Sequence, residues 1–256
     1  MGWSLWRGRQ IPAAEARFVR RTPSKHGRKE GSIKPALVVF DLGGTTVYDR
    51  GEVPTAFTDT LREVGIVLDP QELTTLRGAS KYEALRHLLG RQAEPMTARL
   101  DHIYACFQAD LMARLARAQP LSLPGVRLAL ERLRAAGIRV AVASGFDRNI
   151  VELVLKSVDW NDLLDAQVCS EDVAQGRPAP FMIFRAMERS GVLDVHQVAV
   201  VGDTVRDLEA GWNAGVAYRI AVLTGAHDRA ALSAGPQTHI VDSVRDVPGL
   251  WLQGAA

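Results

Sequence analysis

The sequence has little cysteine and no long hydrophobic stretch. Its 256 residues include only two cysteines, Cys106 and Cys169, which lie far apart in the chain. We therefore expect no disulfide scaffold, and the low cysteine content suits a reducing cytoplasm. No apolar run reaches the roughly 20 residues of a transmembrane helix, so we predict no membrane span. The N-terminus also lacks the apolar centre of a secretory signal.

Acidic residues are scarce at the N-terminus. Residues 1–34 contain nine Lys or Arg and two Glu, which leaves 22 basic and 27 acidic residues, a net charge of −5, for the rest. This mildly acidic remainder argues against nucleic-acid binding by the core. We interpret residues 1–34 as a flexible basic extension, and a nonfunctional tail from an upstream start codon is its plainest origin. An organelle-targeting peptide, or a weak nucleic-acid or membrane-surface contact, are the alternatives.

Strand-like and helix-like segments alternate through most of the chain. This alternation predicts an α/β fold with a doubly wound parallel sheet, in which Asp147 and Asp228 begin two of the later helices. Between the first two strands the pattern is wholly helical and includes a capping box at Ser80–Glu83. We predict a core of residues 35–50 and 121–256 with an inserted all-helical cap of residues 51–120. The predicted strands are residues 36–39, 138–144, 166–169, 198–203, 217–222 and 239–242.

Three of the predicted strands end in polar residues. Asp41 follows the first strand, Ser144 and Gly145 end the second, and Asp203 follows the run Val198–Gly202. In open α/β sheets ligands bind at the carboxyl ends of the strands. These three strand ends therefore predict an active site at one edge of the sheet.

Four short motifs, in order along the chain, resemble those of the haloacid dehalogenase superfamily of aspartate-nucleophile hydrolases. Asp41–Thr45 corresponds to the first motif, Ser144–Gly145 to the second, Arg177 to the third, and Gly202–Thr204 with Asp207 to the fourth. The resemblance covers residues 36–223. It implies a Rossmann-like core with a helical cap, and a homodimer joined through the cap helices.

The resemblance also implies roles for these residues. Asp41 would attack phosphorus as the nucleophile. Because Asp41 and Asp203 would both repel a phosphate, an Mg²⁺ ion is expected between them, with the Gly43 carbonyl as a third ligand and Asp207 as a further or outer ligand. The implied phosphate-binding residues are Gly44, Thr45, Ser144, Gly145 and Arg177.

The first and third motifs depart from the usual phosphatase pattern. Phosphatases of the superfamily usually carry a second Asp, two residues after the nucleophile, that protonates the leaving oxygen. Here that position is Gly43, and Arg177 stands where most relatives have Lys. Both departures resemble the phosphonatase branch, the phosphonoacetaldehyde hydrolases, whose loop reads Gly-Arg-Pro-Ala-Pro as residues 176–180 do here.

In that branch a cap lysine forms an imine with the substrate aldehyde, so carbon can leave as an enamine without an acid. Lys81, three residues after Gly78, occupies the corresponding place, where a helix N-terminus and nearby cations favour the neutral amine. Phosphonatases have Met and His where this chain has Arg77 and Ala84. His87 is the candidate replacement for that histidine, although a surface position is its more common role. A solvated lysine in a capping box is the alternative for Lys81.

Several functions therefore stay in competition. The first is cleavage of a carbon–phosphorus bond in a 2-oxoalkylphosphonate, and the second is a phosphomonoesterase acting on a small phosphorylated metabolite. A non-catalytic relative that only binds a phosphorylated ligand is the third. A dehalogenase is disfavoured because Asp203 and Asp207 imply a metal. His227 could contact substrate or have no role beside Asp228.

Overall fold

The structure is a computed structural model that describes residues 34–69, 72–73, 76, 78–90 and 99–252. Its centre is a six-stranded sheet in the order β3-β2-β1-β4-β5-β6, and every neighbouring pair of strands is parallel. The predicted doubly wound α/β fold is thus confirmed. The strands are β1 Leu37–Phe40, β2 Arg139–Ala143, β3 Ala166–Val168, β4 Val198–Gly202, β5 Tyr218–Val222 and β6 His239–Val241.

Strand β1 is central and completely buried. Val38 and Phe40 face one apolar cluster, whereas Leu37 and Val39 face the other. Helices cover both faces of the sheet, which explains why β1 is an uninterrupted apolar run. Phe40 pairs with Val142 of β2 on one side and with Val201 of β4 on the other.

The described residues contain eight α-helices. Four of them lie between β1 and β2, and we refer to the first three of these four as the cap helices. The other five connect or follow the strands of the core. The cap helices are α1 Glu52–Glu63, α2 Lys81–Gly90 and α3 Leu100–Ala118, and the core helices are α4 Val126–Ala135, α5 Arg148–Val158, α6 Phe181–Ser190, α7 Val205–Ala214 and α8 Arg229–Ala234.

The cap helices follow from local sequence signals. Asp69 and Glu72 exchange hydrogen bonds as in a capping box, with Glu72 N–H donating to Asp69 Oδ1 over 2.7 Å. Glu83 N–H donates to Ser80 Oγ over 3.3 Å at the start of α2. The predicted helix from Met96 is described from Leu100 onward, and Met96 itself lies outside the described residues. Buried side chains of all three helices join the same apolar cluster as β1 and α4.

The chain leaves and re-enters the core at adjacent points. Tyr48 N–H donates to the Leu121 carbonyl and Leu123 N–H donates to the Thr46 carbonyl, each over 3.0 Å. Gly51, just before α1, has φ of 96°, which favours glycine. The two crossings between core and cap are therefore paired with each other along their length.

Candidate active site

A cavity of about 130 Å³ lies between the carboxyl ends of the strands and the cap helices. The pairing of Phe40 with Val142 and Val201 brings Asp41, Ser144 and Asp203 to one edge of the sheet, as predicted. Residues from the cap complete the wall. The predicted site residues that line the cavity are Asp41, Gly43, Lys81, Ser144, Gly145, Arg177, Asp203 and Asp207.

Arg177 joins two carboxylates at the cavity wall. Its Nη2 lies 2.8 Å from Asp41 Oδ1, and its Nη1 is paired with Asp207 Oδ1. Arg177 and Asp41 are each 10% exposed, so solvent screens this pair only weakly. Arg177 Nε is buried and has no hydrogen-bond partner within the described part of the chain. A planar guanidinium held in this way is suited to an anionic group beside Asp41.

Asp203 is almost fully buried, with 2% exposure. Its Oδ1 accepts a hydrogen bond from Thr45 Oγ1 over 2.9 Å, and its Oδ2 accepts one from Ala226 N–H over 2.7 Å. Burial and, to a smaller extent, the negative charge of Asp41 together raise the pKa of Asp203 to about 6. Two carboxylates at this edge therefore repel each other, and a cation would offset that repulsion.

Two glycines allow the close approach around Asp203. A Cβ at Gly225 would lie 2.0 Å from Asp203 Oδ2, and one at Gly44 would lie 2.6 Å from the same atom. Gly44 also has φ of +77°, a conformation that side chains disfavour. Both positions therefore require glycine for reasons of space.

Gly44 and Thr45 are placed behind the cavity wall, since neither is among its lining residues. Gly44 N–H donates to the Val47 carbonyl over 2.8 Å, and Thr45 N–H donates to the Leu42 carbonyl over 3.3 Å. Their polar groups thus close the turn after β1 and hold Asp203. The phosphate-binding role predicted for them stays a prediction, and the arrangement favours a supporting role instead.

Gly43 differs from both of these glycines. It lines the cavity, and a Cβ built on it would meet no other atom within 4 Å in the described structure. The position that carries an acid in most phosphatases of the superfamily therefore faces open space.

Asp207 closes the first turn of α7. Its Oδ2 accepts hydrogen bonds from Thr204 N–H over 3.0 Å and from Thr204 Oγ1 over 2.6 Å, while its Oδ1 is paired with Arg177. Both oxygens are thus engaged by the protein. The predicted metal-ligand role of Asp207 stays a prediction, and the contacts favour a residue that orients Arg177.

Ser144 and Gly145 form the loop after β2. Ser144 is 2% exposed, and its Oγ accepts a hydrogen bond from Phe146 N–H over 3.2 Å. A Cβ on Gly145 would lie 3.7 Å from Arg177 Nη2, so this loop borders the guanidinium. The sequence placed Asp147 as the helix cap here. The structure puts it at that position, but its side chain makes no capping hydrogen bond with α5.

Lys81 is the first residue of α2 and lies in the cavity wall. Its Nζ donates to the carbonyls of Leu76 and Ala79 over 3.0 and 3.3 Å. The same Nζ lies 5.5 Å from the centre of the Phe57 ring, a cation–π contact. The structure therefore brings Lys81 to the same cavity as Asp41.

The loop before α2 rests directly on the core. Gly78 has φ of +71°, and a Cβ there would lie 2.7 Å from Thr204 Oγ1. Ser80 lies close to the loop that carries Arg177, since a Cβ on Gly176 would be 3.5 Å from Ser80 Cβ. Glycine at position 78 is therefore required for the cap to meet the core beside Lys81.

His87 does not line the cavity. Ala84 is buried, and His87 is exposed and is not among the cavity-lining residues. The surface interpretation of His87 is therefore the one that its position fits. Arg77 lies outside the described residues.

His227 has a structural role that the sequence did not indicate. Its Nδ1 accepts a hydrogen bond from Val205 N–H over 3.2 Å at the start of α7. Asp228 caps α8 as predicted, since its Oδ1 accepts a hydrogen bond from Ala231 N–H over 2.8 Å.

Sequence reasoning missed the apolar part of the cavity. The apolar residues that line the cavity come mainly from the cap helices and the segments next to them. In the sequence, each one looks like an ordinary buried residue of an amphipathic helix. Only the fold shows that they share a cavity with Asp41. They include Val53, Phe57, Leu73, Leu76, Leu115 and Phe146.

A family model of haloacid dehalogenase-like hydrolases matches residues 35–215, and the chain therefore belongs to this family of hydrolases. Among curated relatives, it is 29% identical over 210 residues to phosphonoacetaldehyde hydrolase from Bacillus cereus, a match that covers 77% of this chain and 78% of the relative. The predicted resemblance to the phosphonatase branch is confirmed at this level.

Solved structures share the fold. The phosphonoacetaldehyde hydrolase-like protein from Oleispira antarctica superposes with a TM-score of 0.74 at 21% identity, covering 88% of this chain and 95% of that one. A phosphoglycolate phosphatase, assigned as putative, from Lactobacillus plantarum superposes with a TM-score of 0.72 at 18% identity, covering 85% and 100%. No helix in the described part of the chain has the length and apolar character to cross a membrane.

Proposed function

We propose that this hydrolase cleaves the carbon–phosphorus bond of a small 2-oxoalkylphosphonate such as phosphonoacetaldehyde. One observation carries the proposal. The cavity is lined by a carboxylate, Asp41, and an amine, Lys81, while Gly43 leaves the place of the usual acid open. A phosphate ester needs that acid for its leaving oxygen. A carbon leaving group needs an electron-withdrawing group instead, and an imine on Lys81 supplies one.

The proposed reaction passes through an imine on Lys81 and an aspartyl phosphate on Asp41. The neutral Lys81 amine condenses with the substrate carbonyl and water leaves, and the imine nitrogen takes a proton from solvent to give the protonated imine. Asp41 Oδ attacks phosphorus, and the electron pair of the carbon–phosphorus bond moves to carbon to give an enamine and an aspartyl phosphate. Water then hydrolyses the aspartyl phosphate to inorganic phosphate. The enamine takes a proton at carbon, and a second water releases the aldehyde and frees Lys81.

The residues present fit an Mg²⁺ ion. Asp41 and Asp203 offer carboxylate oxygens, the Gly43 carbonyl offers a third oxygen, and the repulsion that raises the pKa of Asp203 would be relieved by a cation. Among the described residues no group of three or more His, Cys, Asp or Glu side chains is arranged around a metal, so backbone and water oxygens would complete the set. When bound, the ion would neutralise charge between the nucleophile and the phosphonate.

The cavity supports a small substrate. Its volume is about 130 Å³. An engineered protein cavity of about 150 Å³ is large enough to bind benzene. A phosphonate with a two- or three-carbon chain matches that volume, whereas a nucleotide does not. The apolar wall around Lys81 would also limit the access of water to the imine.

Borohydride reduction tests the imine. We expect one substrate-dependent adduct on Lys81 when phosphonoacetaldehyde and borohydride are added together, detected by mass spectrometry of the digested protein. Lys81→Ala should lose the adduct and about 10³-fold in turnover of phosphonoacetaldehyde. Lys156→Ala, in core helix α5, is the matched control and should retain both. Full activity of Lys81→Ala without an adduct would exclude the mechanism.

A phosphomonoesterase is the second candidate, favoured by Ala84. Because this buried position offers no titratable group and His87 is exposed, no histidine of the phosphonatase pattern is among the described residues that line the cavity. A phosphatase would turn over p-nitrophenyl phosphate faster than phosphonoacetaldehyde, and Lys81→Ala would leave that rate unchanged. Comparing the two substrates with wild type and Lys81→Ala decides between the candidates.

A further inference from the structure

A buried carboxylate joins the cap helices to the core at the start of α5. Asp147 is 5% exposed. Its Oδ2 accepts hydrogen bonds from Tyr104 Oη over 2.5 Å and from Gln108 Nε2, both on cap helix α3. Its Oδ1 accepts one from Ser170 Oγ in the core. The donors to this carboxylate therefore come from two parts of the molecule that are distant in sequence.

A chain of aromatic contacts leads from Tyr104 to the amine of Lys81. The Tyr104 ring stacks against Phe107 with centroids 5.9 Å apart. Phe107 meets Phe57 edge-on at 5.8 Å, and the Phe57 ring lies 5.5 Å from Lys81 Nζ. Phe57 and Phe107 are fully buried, and such rings have few alternative positions in a packed interior.

Asp147 also lies directly after the loop that is predicted to bind phosphate through Ser144 and Gly145. Asp147 follows Phe146, whose N–H donates to Ser144 Oγ over 3.2 Å. The Phe146 carbonyl accepts a hydrogen bond from Ser170 N–H over 3.0 Å. Ser170 therefore holds this loop twice, once through Phe146 and once through Asp147.

We infer that Asp147, acting through Tyr104, is a positioning residue that fixes Lys81 relative to the phosphate-binding loop at Ser144 and Gly145. The inference rests on the proposed function of Lys81. A bifunctional reaction needs the amine and the nucleophile at a set separation, and a displacement of about 1 Å can cost about 100-fold in rate. Removing the Tyr104 hydroxyl leaves a buried carboxylate short of a donor, so α3 should shift or loosen.

The test compares two matched hydroxyl deletions in the full chain. Tyr104→Phe removes the bond to Asp147 and keeps the aromatic ring. Tyr82→Phe removes a hydroxyl from the same aromatic group, since Tyr82 lies edge-on to Tyr104 at 5.1 Å, but its bond goes to Asp101 within the cap helices over 2.8 Å. The two variants therefore differ in whether the lost bond links cap and core.

Comparing kcat/KM for two substrates distinguishes a positioning effect on Lys81 from a general loss of activity. We expect Tyr104→Phe to lower kcat/KM for phosphonoacetaldehyde by about tenfold or more, and for p-nitrophenyl phosphate, which needs no amine, by less than about twofold. Tyr82→Phe should change both by less than about twofold. Asp147→Asn, which retains one acceptor oxygen, should give a smaller loss than Tyr104→Phe. Equal losses on both substrates in Tyr104→Phe would overturn the inference.

Hydrogen–deuterium exchange gives a readout that is independent of the reaction. Tyr104→Phe should speed amide exchange both in α3 and in residues 144–148, whereas Tyr82→Phe should leave residues 144–148 unchanged. If wild type does not hydrolyse phosphonoacetaldehyde, the proposed function fails, and this exchange pattern still decides whether the contact couples cap and loop. Unchanged exchange at residues 144–148 in Tyr104→Phe would overturn the inference on its own.

Discussion

The core and cap sides of the cavity are built differently. On the core side, Asp41, Asp203 and Asp207 are all held by hydrogen bonds or by Arg177, and glycines permit their close packing. On the cap side one amine, that of Lys81, lies against apolar side chains. The core side therefore holds the groups that the proposed phosphoryl transfer to Asp41 needs. The cap side supplies what would select the bond that breaks.

We expect the largest effect from a substitution on the core side, which should lower the turnover of every substrate. Asp41→Asn removes the proposed nucleophile, so we expect at least about a 10³-fold loss of turnover on both phosphonoacetaldehyde and p-nitrophenyl phosphate. Phosphate release under saturating substrate measures it. Asp49→Asn, an exposed carboxylate at the same cavity, is the control and should retain activity. A loss of turnover on only one of the two substrates would contradict a core side that serves both reactions.

Gly43 offers a way to convert one chemistry into the other. Because its Cβ position is open, Gly43→Asp should fold and place an acid beside Asp41. We expect a gain of about 100-fold in turnover of p-nitrophenyl phosphate, the usual lower range for general acid catalysis. Gly43→Asn has the same shape without the acid and serves as the control. An equal gain in both variants would show that acid catalysis is not its source.

Asp203 should produce the smallest effect, and it depends on pH and metal. Burial raises its pKa from 3.8 to about 6, so the folded protein binds a proton more tightly than the unfolded chain does. Below about pH 4 this group costs no stability, and as the pH rises through 6 the folded state loses about 3 kcal/mol relative to the unfolded state. In chelator, Asp203→Asn should therefore gain thermal stability over wild type at pH 8 but not at pH 4.

Added Mg²⁺ sharpens the same measurement. If the ion binds between Asp41 and Asp203, it should raise the Tm of wild type at pH 8 more than at pH 5, because the carboxylate must be ionised to bind it. Asp203→Asn should show a much smaller shift at both pH values. An equal shift in the two proteins would place the ion elsewhere.

The sequence predicted the core side of the cavity more fully than the cap side. Asp41, Ser144 and Asp203 were found because parallel strands bring their carboxyl ends to one edge, whatever the helices do. The contact between Phe57 and Lys81 left no local signal, since Phe57 reads only as a buried helical residue. The same is true of Asp147, whose partners on α3 lie 39 and 43 residues away. Side chains that bond across such separations are fixed by tertiary packing alone.

Gly44 and Thr45 show a second limit of prediction from the sequence. They belong to the first motif, yet in the fold they close the turn and hold Asp203. A motif records which residues occur together, but it does not separate those that touch a ligand from those that support them.

The two chain segments that connect core and cap lie side by side, so the segment between them could be replaced by protein engineering. Because Tyr48 and Leu121 are already joined by a hydrogen bond, a short turn could replace everything between them with little cost in loop-closure entropy. The core sheet would keep every strand and every pairing. Because the cap helices share an apolar cluster with the core, the replacement should cover the same surface. A helical insertion from another member of the family could do so, and exchanging it is a direct route to a new specificity on an unchanged core.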